Sequence, residues 1–253
     1  MPTPKQLIDD ARSYTRAALM ASVTAGAVSG AALHQKFVPA PERDALFQTW
    51  MRHWARNLLR VFAVDARFGN DAPRVGSGAR LVVANHRSPL DITLMLATFG
   101  GAVLSRADLK EWPILGHAAQ RADTIFVDRE NPRSGMMAIR EIRRRLEAGR
   151  TVIAFPEGGT FPGDEVRPFR EGVFAAMRGL KVEVVPVGLA YDPGTEFFNE
   201  TFMNHLKRVA ARPITRVGVY FGEPRIAAES RTALAENLHG EVQDLTNRAR
   251  TLL

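Results

Sequence analysis

The sequence predicts an α/β fold: a mostly parallel sheet flanked by helices on both faces, with an N-terminal membrane-associating two-helix appendage. Three observations predict it. From residue 81 onward, six short apolar runs alternate with helical patterns, the texture of buried strands joined by crossover helices. Polar, glycine and proline residues collect just after those runs, where an open parallel sheet presents its ligand site. The first 68 residues read differently: an uncharged run, then a Trp- and Arg-bearing amphipathic pattern, closed off by a Gly/Pro-rich loop at 69–78. Residues 1–68 are therefore read as the appendage and 79–253 as the α/β domain.

Composition limits what the chain can do. The 253 residues suffice for one domain plus an appendage, and 45% hydrophobic with 24% charged residues is a globular balance rather than a disordered one. Cysteine is absent, which excludes thiolate metal sites, iron–sulfur clusters, cysteine nucleophiles and disulfides. Lys+Arg outnumber Asp+Glu by 34 to 27, and only five of the positives are lysine. A scattered, arginine-based excess suits a phosphate-bearing or acidic partner: nucleic acid, anionic lipid or an acidic carrier protein. A nucleic-acid role is set aside, because no recognition motif is visible and aromatics interleave with the basic residues only near the N-terminus.

Taking the elements in order, residues 17–33 carry no charge and lie between Arg12/Arg16 and His34/Lys36. Seventeen residues is the lower edge of a membrane span, and the run is Ala-rich, so it reads as a marginal membrane helix or half-inserted hairpin arm. Gly26 and Gly30 form a small-residue spacing that lets helices approach closely. Residues 42–64 place Phe47, Trp50, Met51, Trp54, Leu58 and Val61 on one helical face and Arg52, Arg56 and Arg60 on the other. That is the composition of an interfacial membrane helix, although a helix packed on a soluble core has the same period. Strands are then expected at 81–84, 102–105, 124–127, 151–155, 182–189 and 217–221, with helices at 90–98, 134–147, 169–178 and 227–251.

The first strand runs into Asn85-His86-Arg87-Ser88-Pro89-Leu90-Asp91. Ser88-Pro89 reads as a helix N-cap followed by Pro in the first turn. Asp91 then has two readings. It is the acidic member of a capping box, or it reaches back to the ring of His86, fixing its tautomer and supporting the imidazolium that forms when the ring takes a proton. His239 and Asp244 share the same spacing inside a plain helical pattern. Arg129 follows another strand end, as a solvated residue or as a planar fork for phosphate. Glu157-Gly158-Gly159 sets a carboxylate beside backbone able to adopt positive φ and expose its amides, or is simply a tight turn. Walker-type, dinucleotide-binding, Gly-x-Ser-x-Gly and His-Glu-x-x-His signatures are missing.

Asn85–Asp91, Ile125-Phe126-Val127-Asp128-Arg129, Phe155-Pro156-Glu157-Gly158 and Val185-Pro186-Val187-Gly188 occur in the order and spacing of four blocks. In this the chain resembles the glycerolipid acyltransferase family, that of the 1-acylglycerol-3-phosphate acyltransferases. The resemblance covers about 81–189 and the plan of an N-terminal helical pair; Lys110 with Trp112-Pro113-Ile114-Leu115-Gly116 is similar to the family's segment between the first two blocks. It implies that His86 and Asp91 are the catalytic dyad. It also implies that Arg129, Glu157 and Gly158 bind the acceptor, with Gly159, Thr160, Lys110 and Arg170 as further candidates.

The acyl donor it implies is a thioester on coenzyme A or acyl carrier protein, with no other cofactor and no metal, at the cytoplasmic face of the cell membrane. One block departs. Many members read Glu-Gly-Thr-Arg-Ser where this chain reads Glu157-Gly158-Gly159-Thr160-Phe161, which leaves Arg167 and Arg170, shortly downstream, as candidates for the missing charge, or else a pocket for a larger or zwitterionic head. The expected product is phosphatidic acid from 1-acylglycerol-3-phosphate. The alternatives are a different lysolipid acceptor, such as lyso-ornithine lipid, or a lipid-binding protein without turnover.

Overall fold

β2 (Arg80–Ala84) is buried at every position and occupies the middle of the sheet. The structure, a computed structural model, describes residues 3–73, 78–107, 124–128 and 131–253. Around β2 lie β1 (Val64–Phe68), β3 (Ala102–Arg106), β4 (Ile125–Val127), β5 (Thr151–Ala154), β6 (Glu183–Tyr191), β7 (Thr215–Phe221) and β8 (Arg225–Ile226). The order is β1-β7-β6-β2-β5-β3-β4, with β8 on β6. β2 is parallel to both its neighbours, and among the described residues only the β6–β7 and β6–β8 pairs are antiparallel. The expected α/β fold with a mostly parallel sheet is present.

Helices cover both faces. On one face α3 (Pro89–Phe99) and α6 (Phe202–Ala211) bury Leu90, Leu94, Met95, Val209 and Ala210 against Val82, Val187 and Leu189. On the other, α4 (Pro132–Glu147), α5 (Gly172–Ala175) and α7 (Arg231–Arg250) bury Ile142, Leu146, Phe174 and Leu238 against Leu81, Val83 and Val152. α7 lies unusually close to the sheet. A Cβ on Gly188 would fall 2.2 Å from the Leu245 carbonyl carbon, and one on Gly218 would fall 2.0 Å from the Ala249 oxygen. The glycine of the fourth sequence block is thus required by helix–sheet contact.

The appendage differs from its sequence reading in three ways. The helix expected over 42–64 is α2 (Arg43–Val61), and Ala63 turns with φ 49° into β1. β1 pairs in parallel with β7, so residues 64–68 belong to the sheet rather than to the appendage that was drawn to residue 68. Its alternation of Val64 and Ala66 against the core with outward Asp65 and Arg67 is a strand pattern that the charges disguised. The Trp face of α2 also turns toward α1, with Trp50 and Trp54 half-buried. Trp50 packs on Gly30 of α1 (Pro4–His34), Trp54 donates to Thr24 at 3.1 Å, and Met51, Ala55 and Leu58 are buried.

The expected helix over 169–178 shrinks to the single turn of α5, and α7 begins only at the Ser230 cap because 225–226 pair with β6. α6 had no counterpart in the sequence reading.

α1 is the exposed element. It is long and apolar enough to cross a membrane, and 11% of its most apolar 18-residue window is buried, whereas a core helix would be mostly buried. Arg12 and Arg16 tie it to the protein by donating to the carbonyls of Ala211, Ala210 and Arg212, the otherwise unpaired C-terminal carbonyls of α6.

Candidate active site

The site lies at the carboxyl end of β2, between the ends of β5 and β6. Asn85 extends the ladder with its side chain. Its Nδ2 donates to Leu189 O and its Oδ1 accepts from Leu189 N, both at 2.8 Å, so the loop leaves β2 from a fixed point. His86 follows, its ring stacked on Phe155 with centroids 4.3 Å apart. Ser88 caps α3 and Pro89 occupies its first turn.

Asp91, fully buried in that first turn, holds the loop through one oxygen. Oδ2 accepts from His86 Nδ1 at 2.8 Å, Arg87 N at 2.6 Å and Ser88 N at 2.9 Å. The capping box and the contact with the His86 ring are therefore one arrangement, made by the same carboxylate. With Nδ1 on the carboxylate, the proton sits on Nδ1 and the lone pair on Nε2, in a side chain that is 14% exposed. His239, by contrast, bonds the Val166 carbonyl at 2.8 Å.

Glu157 departs from its expected role as a contact for the acceptor. Its side chain has no exposure. The carboxylate accepts from His86 N at 2.6 Å, Arg167 N at 2.8 Å and the Arg87 guanidinium at 3.0 and 3.2 Å. Every oxygen is engaged within the protein, so Glu157 props the catalytic loop. Arg87 is nearly as buried. Besides Glu157 it donates to the carbonyls of His86, Gly163 and Glu165.

Gly158 adopts φ +78° and its amide is taken by Phe155 O, so it offers no amide to a ligand. A Cβ there would meet Arg170 Nε at 2.6 Å, so the absence of a side chain lets exposed Arg170 lie over the turn. Gly159 and Thr160 continue the turn, and Phe161 N returns to His86 O. Among the described residues no protein acceptor takes the amides of Gly159 or Thr160. Arg129 and Lys110 lie outside the described residues.

One side of the site was missed by sequence reasoning. Thr201 caps α6, which carries buried His205. That ring meets Ser88 Oγ at 3.2 Å through Nε2 and Glu200 at 3.0 Å through Nδ1. Burial pushes its imidazole below the ordinary value, against the pull of Glu200, which leaves it neutral. Nδ1–H then donates to Glu200, and Nε2 accepts the Ser88 hydroxyl proton. No spacing links His205 to the loop, so only the structure could reveal it.

This catalytic end falls within a match to a known family. The family model described as Acyltransferase covers residues 45–190, from within α2 to the penultimate residue of β6. The chain belongs to the acyltransferase family. Its relatives include the lyso-ornithine lipid O-acyltransferase of Brucella abortus, 30% identical over 81% of this chain and 87% of that protein. The protein of the same name from Pseudomonas aeruginosa is 30% identical over 74% of each. The 1-acyl-sn-glycerol-3-phosphate acyltransferase of Neisseria meningitidis is 32% identical over 54% of this chain and 53% of its own. The crystal structure of the 1-acyl-sn-glycerophosphate acyltransferase of Thermotoga maritima superposes with a TM-score of 0.72 over 96% of this chain and 95% of its own. At 20% identity that likeness speaks for the fold alone. As a member of the acyltransferase family, the chain is an enzyme that transfers acyl groups.

Proposed function

We propose that the chain moves a fatty acyl group from a thioester to the free hydroxyl of a lysolipid, with His86 as base. The 2.8 Å contact between His86 Nδ1 and buried Asp91, which leaves Nε2 for substrate, carries this reading. Nε2 takes the hydroxyl proton as the oxygen attacks the thioester carbonyl, and Asp91 steadies the imidazolium. The oxyanion is placed at the free amides of Gly159 and Thr160. Collapse breaks the C–S bond, and the thiolate, whose conjugate acid has a pKa of about 8.5, leaves with the proton returned by His86. An activated thioester needs no metal or redox cofactor for this step. The donor is acyl-coenzyme A or acyl carrier protein.

For the acceptor we favour lyso-ornithine lipid. The relatives of that name given above match 74% and 81% of this chain, and the third block lacks the usual arginine. The second reading, 1-acylglycerol-3-phosphate, is favoured by Arg170, a cation over the Gly158 turn suited to phosphate. In competition for one acyl donor, lyso-ornithine lipid is expected to outrun 1-acylglycerol-3-phosphate. The reverse order transfers the assignment to the phosphate lipid. Each head offers Arg170 an anionic group, the ornithine carboxylate of one or the phosphate of the other. Arg170→Ala is expected to raise acceptor KM about tenfold or more, the worth of a charge-assisted hydrogen bond, and to spare donor KM.

We place the enzyme at the membrane through α1, on the cytoplasmic side where acyl thioesters are made available. Leu7, Ile8, Leu19 and Leu33 are exposed on that helix. The protein is expected to float with vesicles. Leu7→Glu combined with Leu33→Glu is expected to cut binding more than about tenfold, since each buried leucine contributes about 1.5–3 kcal/mol. Equal flotation of both proteins removes α1 from this role.

A further inference from the structure

Asp91 is held unevenly. Its Oδ2 receives three N–H groups, whereas its Oδ1 is buried and carries no hydrogen-bond partner. The phenolic oxygen of Tyr191 is in the same condition, buried and unpartnered. Two such orphans in one core are costly unless they serve each other.

The topology brings them to one place. β6 runs parallel to β2 with Val187 opposite Ala84 and continues past the end of β2, so Tyr191 lies at the carboxyl end where the His86 loop leads into α3. Val185, Val187, Leu189 and Tyr191 alternate onto the face that α3 covers and share its core with Leu90 and Leu94. Burial holds the Tyr191 phenol well above its ordinary range, and the Asp91 charge and then Asp192 add to this. The phenol therefore keeps its proton and is available as a donor. The other charges nearby are already matched: Arg87 by Glu157, Glu200 by Arg208 beside neutral His205, and Asp192 by Arg212. Arg250 is bound to Asp164 and to the Tyr191 carbonyl, so it does not compete for the hydroxyl. Tyr191 lies one residue beyond the family match.

We propose that Tyr191 is a positioning residue for the dyad: its hydroxyl donates to Asp91 Oδ1 and so turns Oδ2 toward His86. This rests on the reading of His86 as the base. Tyr191→Phe removes the donor and keeps the ring. Two measurements on the full chain then apply: the pH dependence of kcat/KM, and the proton-NMR titration of the His86 ring, assigned by its loss in His86→Ala. Without the phenol, Asp91 is the stronger base and attracts the imidazolium more. The His86 ring is expected to titrate about half to one pH unit higher than in wild type. The acid limb of the rate profile moves with it, and kcat falls about tenfold with acceptor KM unchanged.

Superimposable titrations, a shift to lower pH, or a fall in kcat without any shift would each overturn the proposal and leave Tyr191 as packing. A wild-type protein without acyl transfer would defeat the reading of the site instead. The NMR titration would still decide whether Tyr191 touches Asp91.

Discussion

His86→Ala is expected to lower turnover at least about a hundredfold, the low end for removal of a positioned general base. The protein should stay folded, because the backbone amide of His86, and not its ring, is what Glu157 holds. The lost ring contributes a stack on Phe155 and one bond to Asp91, both at the surface end of the core. His239→Ala is the control. It has the same spacing to an aspartate, but its ring bonds only a carbonyl at the edge of α7, so activity should be near wild type. Initial rates of thioester consumption on the two variants, with circular dichroism beside them, make the comparison. Wild-type rates in His86→Ala end the base assignment.

Glu157→Ala is expected to do more damage to the fold than any other change in the site. It strips the counter-charge from Arg87, whose side chain is 1% exposed, and leaves a buried guanidinium unpaired. Breaking such a pair from one side costs about 3–5 kcal/mol. In a chain of this size that lowers the unfolding midpoint by about 10 °C. Turnover should fall with it, since His86 N and Arg167 N lose their acceptor at the same stroke. The alternative role, contact with the acceptor, predicts the opposite pattern: a raised acceptor KM with an unchanged midpoint. Thermal unfolding and KM measured on one preparation separate the two.

His86 and Asp91 were legible because their partnership is local, five residues apart across a helix cap at a strand end. Glu157 was legible as a position and misleading as a role. Its sequence neighbours are glycines that suggest a turn, while the partner that consumes its charge, Arg87, sits 70 residues away and was given no role in the first block. His205 and Tyr191 lie about a hundred residues from the loop, and nothing in their surroundings distinguishes them from core residues. β1 was hidden by its alternating charges, and α6 by the Pro-, Gly- and Asn-containing stretch before it. The Trp face of α2 shows a different limit. An apolar stripe tells how a helix is oriented and leaves open whether lipid or another helix, here α1, covers it.

The bonds along the loop after β2 also bear on how fast it moves. The amides of His86, Arg87 and Ser88 each end on a buried carboxylate oxygen, and the Asn85 side chain is stitched to β6 on both edges. A surface loop normally gives up its amide protons to solvent in small, cheap openings. This one has no cheap opening, because freeing any of the three amides means exposing Asp91 or Glu157. Its amides should exchange with deuterium on the timescale of the central strands, in one cooperative unit with them. A base carried on this loop is thereby in place before any substrate arrives.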